Sequence, residues 1–299
     1  MKFFDLFAGI GGFHLGLRLE CVGAAEIDRH ASTVYARHFP DVKNWGDITK
    51  VNAADLPDFE LLTAGFPCQA FSIAGRQLGF EDQRGTLFFE IARIAREKKP
   101  RLLLLENVKG LLSHDEGNTF STILKTLDEL GYDAVWQCVN SKYFVPQNRD
   151  RVFIVGHLRG TPAPQVFPYF DSSKDDNGVR QETQGKGNRV QIAHTICTNY
   201  HKGGSTRTMI YHHRDPFQQN RILDPRGISS CINTGSGGRI MPQIRHKTQY
   251  RRLTPLECER LQGFPDFWTD CGISDTQRYR CIGNSVTVPV IKWLGERIV

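Results

Sequence analysis

The sequence has no apolar run near the ~18 residues that a membrane-spanning helix requires. Met1-Lys2 leads straight into the strand-like Phe3-Phe4-Asp5-Leu6-Phe7, so no signal peptide is expected either. The eight cysteines, at 21, 68, 138, 197, 231, 258, 271 and 281, include no C-x-x-C pair. That excludes the usual zinc spacings, so no metal site is expected, and it argues for reduced thiols in a cytoplasm. Acidic residues are scarce in one place. Residues 192–252 hold ten Lys/Arg, and five of the ten histidines, against Asp215 and Asp224, a local charge of +8. Since the whole chain is +6, the remainder is −2. A basic block on a near-neutral body is the footprint of a polyanion-binding face, so nucleic acid is the expected partner.

What is present is enough for a full hydrophobic core: 299 residues, 39% hydrophobic and 23% charged, with one or two domains expected. Residues 2–7 read as a strand, followed by a Gly-rich turn, Ala8-Gly9-Ile10-Gly11-Gly12, into a helix reaching about Glu20. A second strand, Val22–Ile27, closes on Glu26 with Asp28 beside it, and a helix follows over roughly 29–38. Asp28 suits that helix as an N-cap. Further strands are expected at Val42–Trp45, Glu60–Ala64, Leu102–Leu105, Ala134–Val139 and Arg151–His157. Between them, Leu87, Phe88, Ile91, Ile94 and Ala95 mark one amphipathic helix, and Phe120, Ile123, Leu124, Leu127 and Leu130 another, stopped by Gly131. Alternating strands and helices imply an α/β fold, a doubly wound and mainly parallel sheet.

The texture changes after Leu158, with prolines at 162, 164 and 168 and few aliphatics over 171–191. Short β-like runs follow, at Thr195–Tyr200, Arg207–Tyr211, Ile228–Thr234 and Arg239–Ile244, suggesting a smaller β-rich domain. Thr254 as N-cap and Pro255 at the first helical position restart regular structure. A last helix is expected over Val286–Ile298, packing back on the first sheet. The expected organisation is therefore 1–157, 158–250 and 251–299.

Chemistry concentrates at strand ends. Gly65-Phe66-Pro67-Cys68-Gln69-Ala70-Phe71-Ser72 presents one cysteine in a stiff loop at the carboxyl end of a strand, where ligands gather in open α/β sheets. Alone, Cys68 reads equally as a small buried hydrophobe. The Gly-rich turn suits close approach of a ligand to a helix N-terminus, and an acid such as Glu26 commonly takes a ribose hydroxyl pair. Glu106-Asn107-Val108 and Pro146-Gln147-Asn148-Arg149-Asp150-Arg151 close the set.

In their order these motifs resemble the DNA (cytosine-5)-methyltransferase family, across residues 1–157 and about 251–299. They are Asp5–Phe13, Glu26, Gly46-Asp47-Ile48, Gly65–Ser72, Gly85–Phe88, Glu106-Asn107-Val108, Gln147–Arg151, Arg252–Glu257 and Gly283–Val286. The resemblance implies S-adenosyl-L-methionine as cofactor, a fold of the methyltransferase type and double-stranded DNA as partner, the β-rich part reading the target. It implies Cys68, Glu106, Arg149 and Arg151 as catalytic residues. The cofactor would be held by Phe7, Gly9, Gly11, Gly12, Glu26, Ile27, Asp47, Ile48, Pro67, Leu87, Asn284 and Val286. Ser72, Arg207, Arg221, Gly237 and Arg239 are candidate DNA contacts, and a monomer is expected. A tRNA-cytosine methyltransferase shares the catalytic motifs, but its Cys-Phe-Thr tripeptide is absent here. A catalytically inactive DNA-binding relative should lack Cys68 or Glu106. A nicotinamide dehydrogenase would leave Cys68, Glu106 and the basic segment unexplained.

Overall fold

A computed structural model describes residues 1–66, 87–167, 222–223, 243–246 and 249–298, with side chains for all but 222–223, 243–246 and 249–250. Six strands form the main sheet: β1 (Lys2–Leu6), β2 (Glu20–Ala25), β3 (Leu61–Gly65), β4 (Leu102–Val108), β5 (Tyr132–Asn140) and β6 (Asp150–Leu158). Their spatial order is β2-β1-β3-β4-β6-β5. The pairs β1–β2, β1–β3 and β3–β4 are parallel, while β6 runs antiparallel to both β4 and β5. The sheet is thus mainly parallel with one reversed strand near its far edge.

Helices α1 (Gly12–Leu17), α2 (Arg29–His38), α3 (Leu87–Lys98) and α4 (Asn118–Glu129) belong to this half. The unbroken leucine run of β4 splits by the strand's period of two. Leu103 and Leu105 join the core containing Phe88, Ile91 and Ile94 of α3 and Ile123 and Leu127 of α4. Leu102 and Leu104 join Phe13 and Leu17 of α1 and Val290, Ile291 and Leu294 of the C-terminal helix. A central strand covered on both faces needs apolar residues at every position, which is why this run shows no alternation.

The C-terminal segment forms α5 (Pro255–Gln262), α6 (Asp275–Asn284) and α7 (Val288–Ile298). It packs back on the sheet as expected: a Cβ at Gly16 of α1 would lie 2.6 Å from Ile291 Cβ. Thr254 caps α5 in a reciprocal capping box with Glu257. Arg251 chelates the same Glu257 at 2.7 and 2.8 Å, which, with Thr254, holds its carboxyl down at about 2. Asp28 caps α2, accepting from His30 and Ala31 N–H groups. A second, three-stranded sheet joins β7 (Ile222–Leu223), β8 (Gln243–His246) and β9 (Gln249–Arg252). The other β-like runs expected between 168 and 242, and residues 67–86 with the cysteine loop, lie outside the described residues.

Three local expectations need correction. Helix α1 stops at Leu17 because Arg18 turns left-handed at φ 55°, and β2 therefore begins at Glu20. Val42–Trp45 is no strand, only a single parallel bridge between Asn44 and Ala24. Gly46, at φ 68°, turns the chain away before a ladder can extend. Helix α6 has too few apolar positions to show a stripe, and went unexpected.

Candidate active site

Five strands, β1 to β5, run the same way and end on one edge, and the reversed β6 begins there. The strand order changes direction at β1, whose two neighbours are β2 and β3. Ligands of open α/β sheets occupy the crevice outside such a switch point. The chain leaves β1 through Phe7, at a left-handed φ of 56°, into Gly9 at the same φ. A Cβ on Gly9 would meet nothing nearer than Phe7 O at 4.0 Å, so the backbone there is open to a ligand. Gly11 and Gly12 are glycine for the opposite reason. A Cβ on Gly11 would stand 2.5 Å from the Phe39 ring, and one on Gly12 2.6 Å from Val286 Cγ2 and 2.8 Å from Ser285 Oγ.

Glu26 sits where β2 ends. Its Oε2 accepts from Gly9 N–H at 2.8 Å and its Oε1 from Asp28 N–H at 2.7 Å, fixing the carboxylate beside the turn with acceptor capacity remaining on each oxygen. Burial raises its pKa, opposed by those backbone donors. Ile27 follows with its apolar side chain 74% exposed, a ready cover for a flat ring. Asp47 caps the turn Ile48–Lys50, while the Ile48 side chain is buried in the core and offers only backbone at this edge. The open Gly9, the anchored acid and the exposed Ile27 fit a nucleoside-bearing cofactor.

A second cluster lies at the ends of β3, β4 and β6. In β4, Glu106 pairs with Gly65 of β3 on one side and Phe153 of β6 on the other. Arg151 Nε donates to Glu106 Oε1 at 3.0 Å, and both side chains are largely buried. A Cβ at Gly65 would lie 3.5 Å from Glu106 Oε2, so this carboxylate borders the start of the cysteine loop. Asn107 Nδ2 donates to Phe66 O at 2.9 Å, gripping the chain two residues before Cys68. Arg149 is placed differently from Arg151. It is buried and donates to Gly283 O at 3.2 Å and Ser285 O at 2.7 Å, tying β6 to the C-terminal segment.

With this geometry fixed, comparison decides the family: the family model for C-5 cytosine-specific DNA methylase matches residues 1–299. The chain belongs to the C-5 cytosine-specific DNA methylase family. It is 38% identical to the Type II methyltransferase M.HhaI of Haemophilus parahaemolyticus, covering 100% of this chain and 94% of the relative. Likewise it is 40% identical to M.SsoII of Shigella sonnei, covering 100% and 80%. M1.ScrFI of Lactococcus lactis subsp. cremoris is 38% identical, covering 100% and 78%. Among solved structures, the S. pombe Dnmt2 methyltransferase aligns at a TM-score of 0.65 and 19% identity, covering 98% of this chain and 96% of that one. At that identity the likeness concerns fold alone.

The methylase uses S-adenosyl-L-methionine as methyl donor and DNA as substrate, as its family does. Of the residues singled out in the sequence, Gly9, Glu26, Ile27 and Asp47 gather at the ends of β1 and β2, and Glu106 and Arg151 at β4 and β6. Leu87 opens α3, and exposed Asn284 closes α6 beside Val286. Pro67, Cys68, Ser72, Arg207, Arg221, Gly237 and Arg239 fall outside the described residues. Among the described residues no group of three or more His, Cys, Asp or Glu could hold a metal ion. No described helix is long and apolar enough to cross a membrane.

Sequence reasoning missed Asn44 and Trp268 of the methylase's first cluster, and took Asp5 only as the head of a motif. Asn44 bonds the backbone of Glu26. Trp268 Nε1 donates to Ile10 O at 2.9 Å, bracing the Gly-rich turn from the C-terminal segment, with His38 stacked on its ring at 3.5 Å. Asp5 is fully buried in β1, accepting from Thr63 Oγ1 at 2.6 Å. In the sequence it showed as an acid in the middle of an apolar strand, at the head of the Asp5–Phe13 motif.

Burial raises the Asp5 carboxyl from 3.8 to about 7, against the Thr63 hydrogen bond and with help from the Glu26 charge. Between those two values the folded methylase holds a proton that the unfolded chain has released. Stability from this group is complete below the lower value and is lost as pH rises through the upper one. Asp5→Asn keeps an acceptor for Thr63 and removes the titration. Denaturant unfolding at pH 5 and pH 8 should show the wild type losing up to about 2.5 kcal/mol more than the variant, because pH 5 already lies above the lower value. Parallel losses in both proteins would rule this linkage out.

Proposed function

We propose that the methylase modifies carbon 5 of one cytosine in a specific double-stranded DNA sequence, with Cys68 as nucleophile. What supports this reading is the Glu106–Arg151 pair at 3.0 Å, on the edge from which the cysteine loop departs, with Asn107 gripping that loop at Phe66. Carbon 5 of cytosine is a weak nucleophile, so the ring requires covalent activation. The Cys68 thiolate adds to carbon 6, forming a carbon–sulfur bond, while Glu106 holds the proton at ring nitrogen 3. Arg151 orients both Glu106 and the base oxygen. S-adenosylmethionine would supply the methyl group, with Glu26 to hold its ribose, Ile27 and the Asp47 turn to flank its adenine, and the open backbone at Gly9 to admit the rest. Loss of the carbon 5 proton and breakage of the carbon–sulfur bond release the product. Arg149 serves as an anchor that aligns Arg151 through the C-terminal segment. Carbon 6 of a base stacked in a duplex is out of reach of the Cys68 thiolate, so the target cytosine is flipped out.

Residues 158–250 act as the target-reading part, where Arg207, Arg221, Arg239 and the loop at Gly237 contact DNA, while Ser72 approaches from the cysteine loop. The protein works as a monomer in the cytoplasm of a bacterial or phage-infected cell, the modifying half of a Type II system such as its relatives' names describe. Incubation with a mixed plasmid and S-adenosylmethionine, followed by bisulfite-type sequencing, tests the reading. The expected result is 5-methylcytosine at one short recurring sequence. Methylation confined to RNA, or none on any plasmid with donor bound, would overturn it.

A further inference from the structure

We propose that Asn44 is a positioning residue for the nucleoside end of the methyl donor, locking Glu26 and the Gly46–Ile48 turn into one geometry. This rests on the reading that Glu26 takes the ribose. Asn44 lies on the surface, where an amide can satisfy itself with water at no cost. Instead its Oδ1 accepts from Glu26 N–H at 3.0 Å and Gly46 N–H at 2.9 Å. Its Nδ2 donates to Glu26 O at 3.1 Å and Ser32 Oγ at 3.2 Å. An amide has two donor and two principal acceptor sites, and all four are filled by protein. Three of the four bonds end on the two segments that flank the ribose and adenine positions. Ser32 Oγ donates in turn to Glu26 O at 3.2 Å, which holds the amide from behind.

The backbone alone does not set this geometry. The bridge between Asn44 and Ala24 is a single pair, supported by Ala24 N–H to Lys43 O at 3.0 Å and Trp45 N–H to Ala24 O at 2.8 Å. Beyond it Gly46, at φ 68° with nothing within 4 Å of a Cβ, is an unsupported turn. Asn44 is what links that turn to the strand end carrying the acid. Its loss leaves Glu26 its own two anchors, Gly9 and Asp28, but releases its main chain and the turn opposite.

Calorimetric titration with S-adenosylhomocysteine of the wild type, Asn44→Ala, Asn44→Asp, Glu26→Ala and the Glu26→Ala/Asn44→Ala double variant tests this. Asn44→Ala should weaken binding roughly tenfold, the scale of a few surface hydrogen bonds. The same variant should raise KM for the donor with kcat within about threefold and KM for DNA unchanged, a split that general destabilisation does not produce. Because Asn44 acts largely through Glu26, its effect in the Glu26→Ala background should shrink to below about threefold. Asn44→Asp keeps the acceptor but loses both donors and should weaken binding comparably; it carries the test should the alanine variant fail to fold. Affinity within twofold of wild type, or an equal Asn44 loss in both backgrounds, overturns the proposal. Unchanged affinity in Glu26→Ala defeats the ribose reading instead, and Asn44 is then judged on its single variants alone.

Discussion

Cys68→Ser is expected to stop methyl transfer, turnover falling on the order of 10³-fold or more, while donor binding survives. Serine fills the same space but its hydroxyl stays protonated near neutral pH and attacks ring carbon poorly. Donor binding should survive because the groups proposed to hold the donor, Gly9, Glu26 and the Asp47 turn, belong to other strand ends and are held by their own hydrogen bonds. A DNA duplex carrying 5-fluorocytosine at the target should trap the wild type covalently. Fluorine replaces the proton whose loss precedes expulsion of sulfur, so the carbon–sulfur bond cannot be undone. Electrophoresis under denaturing conditions reads the adduct, and Cys68→Ser should give none. Turnover within tenfold of wild type, or an active enzyme that forms no adduct, would remove the covalent mechanism.

Why some of this was legible in the sequence and some was not follows from where the determining contacts lie. Asp28 and Thr254 were readable as caps because a cap bonds N–H groups two or three residues ahead. The leucine run of β4 was readable because only a doubly covered strand tolerates it. Glu106 and Arg151 were readable as candidates by type and position. Their pairing was not, since it requires β6 to enter the sheet reversed between β4 and β5. Asn44 stands 18 residues from Glu26 and Trp268 stands 258 from Ile10, and no local pattern announces either bond. Helix α6 escaped for a related reason. Its place is fixed by Arg278, which meets the fully buried Glu259 of α5 at 3.2 Å, a tertiary ion pair in an otherwise polar helix. Composition located the basic segment but cannot say which of its side chains meet bases and which meet phosphates.

The second large effect is expected at Glu106. Glu106→Gln should lower kcat by about 10²- to 10⁴-fold, the range for removing a positioned proton-transfer group, with donor affinity unchanged. Glutamine matches the shape and keeps an acceptor at the position of Oε1. It carries no charge for Arg151 Nε, now at 3.0 Å, and cannot hold and return a proton at ring nitrogen 3. Two losses therefore coincide, and Arg151→Ala separates them. If the carboxylate serves only to fix Arg151, the two single variants should be equally impaired and the double no worse than either. If Glu106 handles the proton itself, Glu106→Gln should be the more damaging single change. Single-turnover rates at saturating DNA and donor, measured for the wild type and the three variants, decide the matter. A Glu106→Gln enzyme within tenfold of wild type would mean that the carboxylate takes no part in the chemistry.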